Sequence, residues 1–188
     1  MSVSNVADKT TYISHYGIRT KRLKEMIAWY QTVFGAKIQH ENEFLAFMTF
    51  DDEHHRLVIF EDEETVDKPR TAAGIDHVGY GVASFRELIS MYERLKAEGI
   101  TPVLPLNHRF TTSLYYKDPD GNHVELSVDN FRTKEECNSF IRSDDMSEIG
   151  RPPFGYTFDP DELAQLFHSG VPEEQLAQVG IPKSQVVS

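Results

Sequence analysis

Cysteine is almost missing: Cys137 is the only one in 188 residues, which excludes a disulfide within the chain and a structural zinc site built from thiolates. Positive charge is scarce as well. Nineteen Lys and Arg stand against thirty Asp and Glu, a formal charge of −11. That argues against nucleic acid or an anionic membrane as partner, because both call for a basic face. The opening MSVSNVADKT has no apolar run of the signal-peptide kind, and no apolar stretch approaches transmembrane length. The expectation is a soluble, cytoplasmic protein. Apolar residues, by contrast, make up 39% of the chain and include twelve Phe and eight Tyr, enough for a sizeable core and too many for wholesale disorder.

The histidines number eight, and two of them mark an internal repeat. Ile13-Ser-His15-Tyr-Gly17 and Ile75-Asp-His77-Val-Gly79 share the pattern Ile-x-His-x-Gly. Each precedes an amphipathic helix. The first is expected over about 21–34, with Leu23, Met26, Ile27, Tyr30, Val33 and Phe34 on one stripe and Gly35 as its stop. The second opens at Ser84, with Glu87 three residues on in a capping-box pattern, and Gly99 ends it. Three strand candidates follow each helix: 36–39, 44–50 and 55–61, then 101–106, 112–117 and 123–128. Asp118-Pro-Asp-Gly-Asn122 is a strong turn signal between the last two. The fold class is therefore α+β, built from two tandem βαβββ modules with a short helical tail. The expected organisation is an arm over 1–11, a first module over 12–61, a linker over 62–74, a second module over 75–128 and an extension over 129–188 packing on the modules. Helices are expected in the extension near 133–141 and 161–168. The extension carries eleven of the acidic residues and five of the basic ones, so over half of the net negative charge lies in it.

Strand parity groups the chemistry. His15 shares a face with Ile13 and Gly17, and His77 with Ile75 and Gly79, the glycines leaving room beside each imidazole. Glu125 falls between apolar Val124 and Leu126 in the last strand of the second module; turned inward, a carboxylate there needs a partner. A salt bridge would serve. So would a metal held by His15, His77 and Glu125, and two imidazoles with one carboxylate leave open positions that suit non-haem Fe(II) binding both a substrate and O₂. Mn(II) fits the same three residues.

The paired modules and the run Asp118-Pro-Asp-Gly-Asn-His-Val-Glu-Leu126 resemble the vicinal oxygen chelate superfamily, which includes glyoxalase I, fosfomycin-resistance and bleomycin-binding proteins and type I extradiol dioxygenases. The resemblance covers roughly residues 12–130. His54-His55-Arg-Leu-Val58 is similar to the segment of extradiol dioxygenases that supplies their acid–base histidine, the place falling to His55. His108 and Tyr115 resemble the histidine and tyrosine of that family that sit beside the metal ligands. Gly150-Arg-Pro-Pro-Phe-Gly-Tyr156 followed by Phe158-Asp-Pro-Asp-Glu-Leu163 is similar to the extension of one-domain extradiol enzymes. Phe110, Phe154 and Tyr156 are candidates to line an aromatic pocket.

The resemblance implies extradiol cleavage of a catechol, aryl-substituted or bicyclic, by Fe(II) and O₂, with metal ligands His15, His77 and Glu125 and catalytic His55, His108 and Tyr115. Homo-oligomers are common for this architecture. Two other readings stay open: a glyoxalase-like metal-dependent lyase or isomerase, and a metal-free protein that binds a small molecule. Module alignment sets Val58 at the first-half counterpart of Glu125, where a four-ligand glyoxalase site would want a donor. His123 shares parity with Glu125 but reads as a turn residue. His40 and His168 read as surface residues and Cys137 as a helix-face residue.

Overall fold

The computed structural model describes residues 12–69, 71–143 and 154–185. The arm over 1–11 and residues 150–153 of the extension motif lie outside them. The chain divides into two compact units, up to Asp67 and from Lys68 onward, the division falling within the polar stretch between the repeats.

The first unit runs β1 (Tyr16–Thr20), α1 (Leu23–Phe34), β2 (Lys37–Glu41), β3 (Leu45–Thr49) and β4 (Leu57–Glu61). Its sheet has the order β1-β4-β3-β2, with β1 parallel to β4 and the other pairings antiparallel. The α1 stripe Met26, Ile27, Tyr30 and Val33 is buried, and α1 lies on β3 and β4. The residues of these strands that are buried with it are Ala46, Met48, Leu57 and Ile59. Each fully buried large side chain contributes roughly 1.5–3 kcal/mol. Gly35 ends the helix in the left-handed region (φ 62°), its N–H donating to the Gln31 carbonyl at 2.8 Å. Strand alternation then leaves Phe47, Val58 and Phe60 on the face that α1 does not cover.

The second unit repeats the pattern with β5 (His77–Gly81), α2 (Phe85–Ala97), β6 (Leu104–Asn107), β7 (Thr111–Lys117) and β8 (His123–Asp129). Ser84 caps α2, accepting from the Glu87 N–H at 3.2 Å, while the Glu87 carboxylate reaches back to the Ala83 N–H at 2.8 Å. In the expected turn, Asp118 Oδ1 accepts from the N–H groups of Asp120 and Asn122.

The extension adds α3 (Lys134–Ile141), β9 (Tyr156–Thr157), α4 (Pro160–His168), α5 (Glu173–Leu176) and a 3-10 turn over Lys183–Gln185. Strand β9 pairs with β6, giving the sheet order β5-β8-β7-β6-β9. Helix α4 rests against α2, where Asp161 accepts from the Tyr92 hydroxyl at 2.6 Å and from Lys96. His168 is exposed, as expected of a surface residue, and bonds Glu93 at 2.7 Å. Cys137 is buried in α3.

Asn107 ties the extension to the sheet. It is fully buried; its amide donates to the Ala177 and Val179 carbonyls, both at 2.9 Å, and its carbonyl accepts from Arg109 N–H and Asn130 Nδ2. Asn107→Leu strands all four partners, and the expected cost is about 2–4 kcal/mol. Urea unfolding of the variant checks this.

Two strands start later than the repeat predicts. Ile13 and Ser14 are not in β1, because their carbonyls are taken by the Arg56 guanidinium at 2.8 and 3.2 Å. Main-chain bonding begins only at Tyr16 N–H to the Arg56 carbonyl. His15 thus sits in the run-in to β1 rather than within it. The Ile75 carbonyl is likewise taken by Lys68, and His77 becomes the first residue of β5. His55, expected at the head of a strand, lies in the loop before β4, which is shaped by Asp51 accepting from Arg56 and from Glu53 N–H.

Candidate active site

In the second unit, the parallel pairing of β5 with β8 places Gly79 opposite Glu125. His77 Nε2 comes within 3.3 Å of Glu125 Oε2, and the Glu125 side chain is only 12% exposed. His77 Nδ1 meets the Asp76 carboxylate at 2.8 Å, which leaves Nε2 turned to Glu125. Hydrogen bonding to His77 holds the Asp76 carboxyl below its ordinary range, so Asp76 stays anionic behind the imidazole. That arrangement is common behind metal-bound histidines.

Antiparallel pairing of β7 with β8 sets Tyr115 opposite Glu125. The Tyr115 ring stands edge-on to His77 at 5.2 Å between centroids. Its hydroxyl lies 3.0 Å from His108 Nε2. Burial, and next the Glu125 carboxylate, push the Tyr115 phenol well above its ordinary value, so it remains protonated and able to donate. Tyr116 points to the opposite face and is fully buried. His108 stacks near Phe110 at 5.9 Å, and its Nδ1 meets the main-chain carbonyl of Phe154. Of the aromatic trio, Phe110 is half-buried, Phe154 is exposed, and Tyr156 is half-buried on β9 opposite Asn107. His123 begins β8 opposite His77.

The first unit holds the remaining histidines. His15 Nδ1 meets Ser14 Oγ at 3.2 Å, so the residue before each repeat histidine engages its Nδ1. His55 lies against His15 with centroids 4.4 Å apart and the rings tilted by 37°, stands edge-on to Phe47 at 5.0 Å, and touches His54 Nδ1 to Nδ1 at 2.5 Å. Desolvation, followed by the neighbouring His15 and His54, lowers the His55 pKa against an opposing pull from Glu53. The imidazole is therefore held in its neutral, proton-accepting form. His40, read as a surface residue, is exposed on β2 opposite Phe47, their rings 6.3 Å apart. Gly17 faces Val58 across β1 and β4, in the register that sets Gly79 against Glu125. Where one unit offers a carboxylate, the other offers an isopropyl group.

His77 and Glu125 make two-thirds of the expected ligand set in one unit, and His15 stands in the other. Among the described residues, no three His, Cys, Asp or Glu side chains form a ready-made cluster for a metal ion. The pair itself fits a divalent cation: an imidazole oriented by the Asp76 carboxylate, next to the largely buried Glu125 side chain. Gly79 makes room for it, since a Cβ there would lie 3.0 Å from Glu125 Oε2. Gly79→Ala is expected to displace the carboxylate and weaken metal affinity about tenfold. Gly17→Ala, whose Cβ meets nothing nearer than 3.6 Å, should leave affinity unchanged; metal titration of both variants measures the contrast.

The chain is 40% identical over 169 residues to biphenyl-2,3-diol 1,2-dioxygenase 2 of Rhodococcus globerulus, covering 89% of this chain and 87% of that protein. It is 38% identical, with the same coverage, to biphenyl-2,3-diol 1,2-dioxygenase 3 of that organism. Catechol-2,3-dioxygenase of Bacillus subtilis matches at 27% identity over 65% of this chain and 43% of its own. Among solved structures, a glyoxylase/bleomycin resistance protein/dioxygenase domain from Frankia sp. superposes with a TM-score of 0.56 at 19% identity, covering 68% of this chain and 98% of that one. A fosfomycin resistance protein from Listeria monocytogenes gives 0.52 at 24% identity, with the same coverage. These two likenesses speak for the fold alone. The family model matches residues 12–126, both modules up to the residue after Glu125, and the chain belongs to the glyoxalase/bleomycin resistance protein/dioxygenase superfamily.

Proposed function

We propose that this protein is an extradiol dioxygenase that opens the ring of a dihydroxybiphenyl-like catechol with Fe(II) and O₂. The observation that carries the reading is the similarity, over nearly the whole chain and through the extension, to the two Rhodococcus biphenyl-2,3-diol 1,2-dioxygenases. The site chemistry supports it. Val58 replaces a fourth donor opposite Gly17, which favours three protein ligands and open coordination positions over the fuller set of a glyoxalase-type isomerase.

On this reading His15, His77 and Glu125 hold the iron, and Asp76 and Ser14 orient the two imidazoles. Fe(II), once bound there, would supply Lewis acidity toward the catechol oxygens and redox chemistry toward O₂. His55, neutral and without a carboxylate on its ring, accepts a catechol proton and later returns one. Tyr115, held protonated by burial, hydrogen-bonds the substrate oxygen. His108 steadies Tyr115 and the charge that develops near it. The product is a ring-opened hydroxymuconic semialdehyde or its aryl equivalent, carrying both oxygen atoms. No helix among the described residues is long and apolar enough to cross a membrane.

Protein loaded anaerobically with Fe(II) and mixed with 2,3-dihydroxybiphenyl should form a yellow product when air is admitted. Absence of colour across mono- and bicyclic catechols, with iron bound, would contradict the assignment.

A further inference from the structure

His108 presents its two ring nitrogens to different partners. Nδ1 faces the main-chain carbonyl of Phe154, and Nε2 faces the Tyr115 hydroxyl at 3.0 Å. A carbonyl only accepts, so Nδ1 must carry a hydrogen. In the neutral ring Nε2 is then a lone pair, able to accept from Tyr115 and unable to donate to it.

The carbonyl reaches His108 because of the residue after it. Gly155 has φ 133°, and a Cβ there would lie 2.4 Å from the Asn107 carbonyl oxygen and 3.2 Å from His108 Cα. Those are main-chain atoms that cannot turn aside. The same stretch is pinned by β9 pairing Tyr156 with Asn107 and Thr157 with Leu106. Buried Asn107 is itself held by Ala177 and Val179 further along the extension.

We propose that Gly155 is a positioning residue: by letting the extension lie flat on β6, it brings the Phe154 carbonyl onto His108 and fixes the Nδ1–H tautomer, with Nε2 as the acceptor for Tyr115. The extension thereby reaches the Tyr115 hydroxyl through His108 and directs its one hydrogen to Nε2 rather than to Glu125. The tautomer rests on geometry alone; its bearing on turnover rests on the dioxygenase reading above.

Nitrogen-15 NMR of the metal-free protein at pH 8 tests the tautomer apart from any activity. The expected wild-type pattern for His108, assigned by its loss in His108→Phe, is a protonated Nδ1 and a bare Nε2. A protonated Nε2 overturns the proposal, and this spectrum decides even if a variant fails to fold. In Gly155→Ala the Nδ1–H signature should be lost; its retention in a folded variant also overturns the proposal. In the iron-loaded enzyme, Gly155→Ala should lower kcat about tenfold in the wild-type background and cause little further loss in His108→Phe. Losses that multiply would mean that Gly155 acts on stability rather than through His108. If ring cleavage fails altogether while the wild-type NMR pattern is as expected, the functional reading falls and the tautomer assignment stands.

Discussion

Glu125→Gln should abolish ring cleavage and iron retention together while leaving the fold intact. The side chain is the one anionic member of the proposed ligand set, and it is placed by three neighbours: His77 at 3.3 Å, Tyr115 opposite it on β7, and Gly79 opposite it on β5. The glutamine keeps the shape, so packing beside Val124 and Leu126 survives. It removes the charge that pairs with a dication, leaving neutral imidazoles to hold it. The expected fall in kcat/KM is at least about a thousandfold, the equivalent of several kcal/mol of metal-dependent stabilisation. Iron per chain, measured by atomic absorption after gel filtration, should drop with it. A variant that keeps stoichiometric iron would remove Glu125 from the ligand set.

His55→Ala should show the opposite combination, with iron retained and turnover lost. His55 lies in the Asp51–Arg56 loop, tilted against His15 and edge-on to Phe47. It belongs to the substrate side of the proposal rather than to the ligands. Removing a positioned acid–base group costs about 10²–10⁴ in rate. The loss should appear mainly in kcat, since catechol binding does not require His55. His55→Gln should fare no better, because an amide fills the space but carries no titratable nitrogen. Loss of iron in either variant would assign His55 to the metal, and full activity would remove it from the reaction.

Much of the core architecture was legible because its signals are local. The stripe Met26, Ile27, Tyr30, Val33 and the stop at Gly35 specify α1 by period and cap, and Ser84 with Glu87 does the same for α2. Parity separated Tyr115 from Tyr116, since side-chain direction in a strand follows from counting; setting Glu125 opposite Gly79 needed the β5–β8 pairing. The same counting matched Val58 to Glu125, and the β1–β4 register bears that pairing out.

What escaped the sequence depends on contacts distant along the chain. Strand β9 is two residues long and exists because β6 offers an edge; neither its length nor its composition signals a strand. The late starts of β1 and β5 follow from Arg56 and Lys68 taking carbonyls near the repeat histidines. The Glu93 partner of His168 lies 75 residues away. Gly155 was visible as a glycine in the extension motif, but its role requires knowing that Asn107 passes beneath it.

The central claim, that this member of the superfamily performs oxygen chemistry on a catechol, is tested most directly by oxygen uptake. Iron-loaded protein in a closed oxygen-electrode cell should consume one O₂ for each 2,3-dihydroxybiphenyl that disappears as yellow product forms, and metal-free protein should consume none. Catechol that binds the iron-loaded protein without any O₂ uptake would contradict the account.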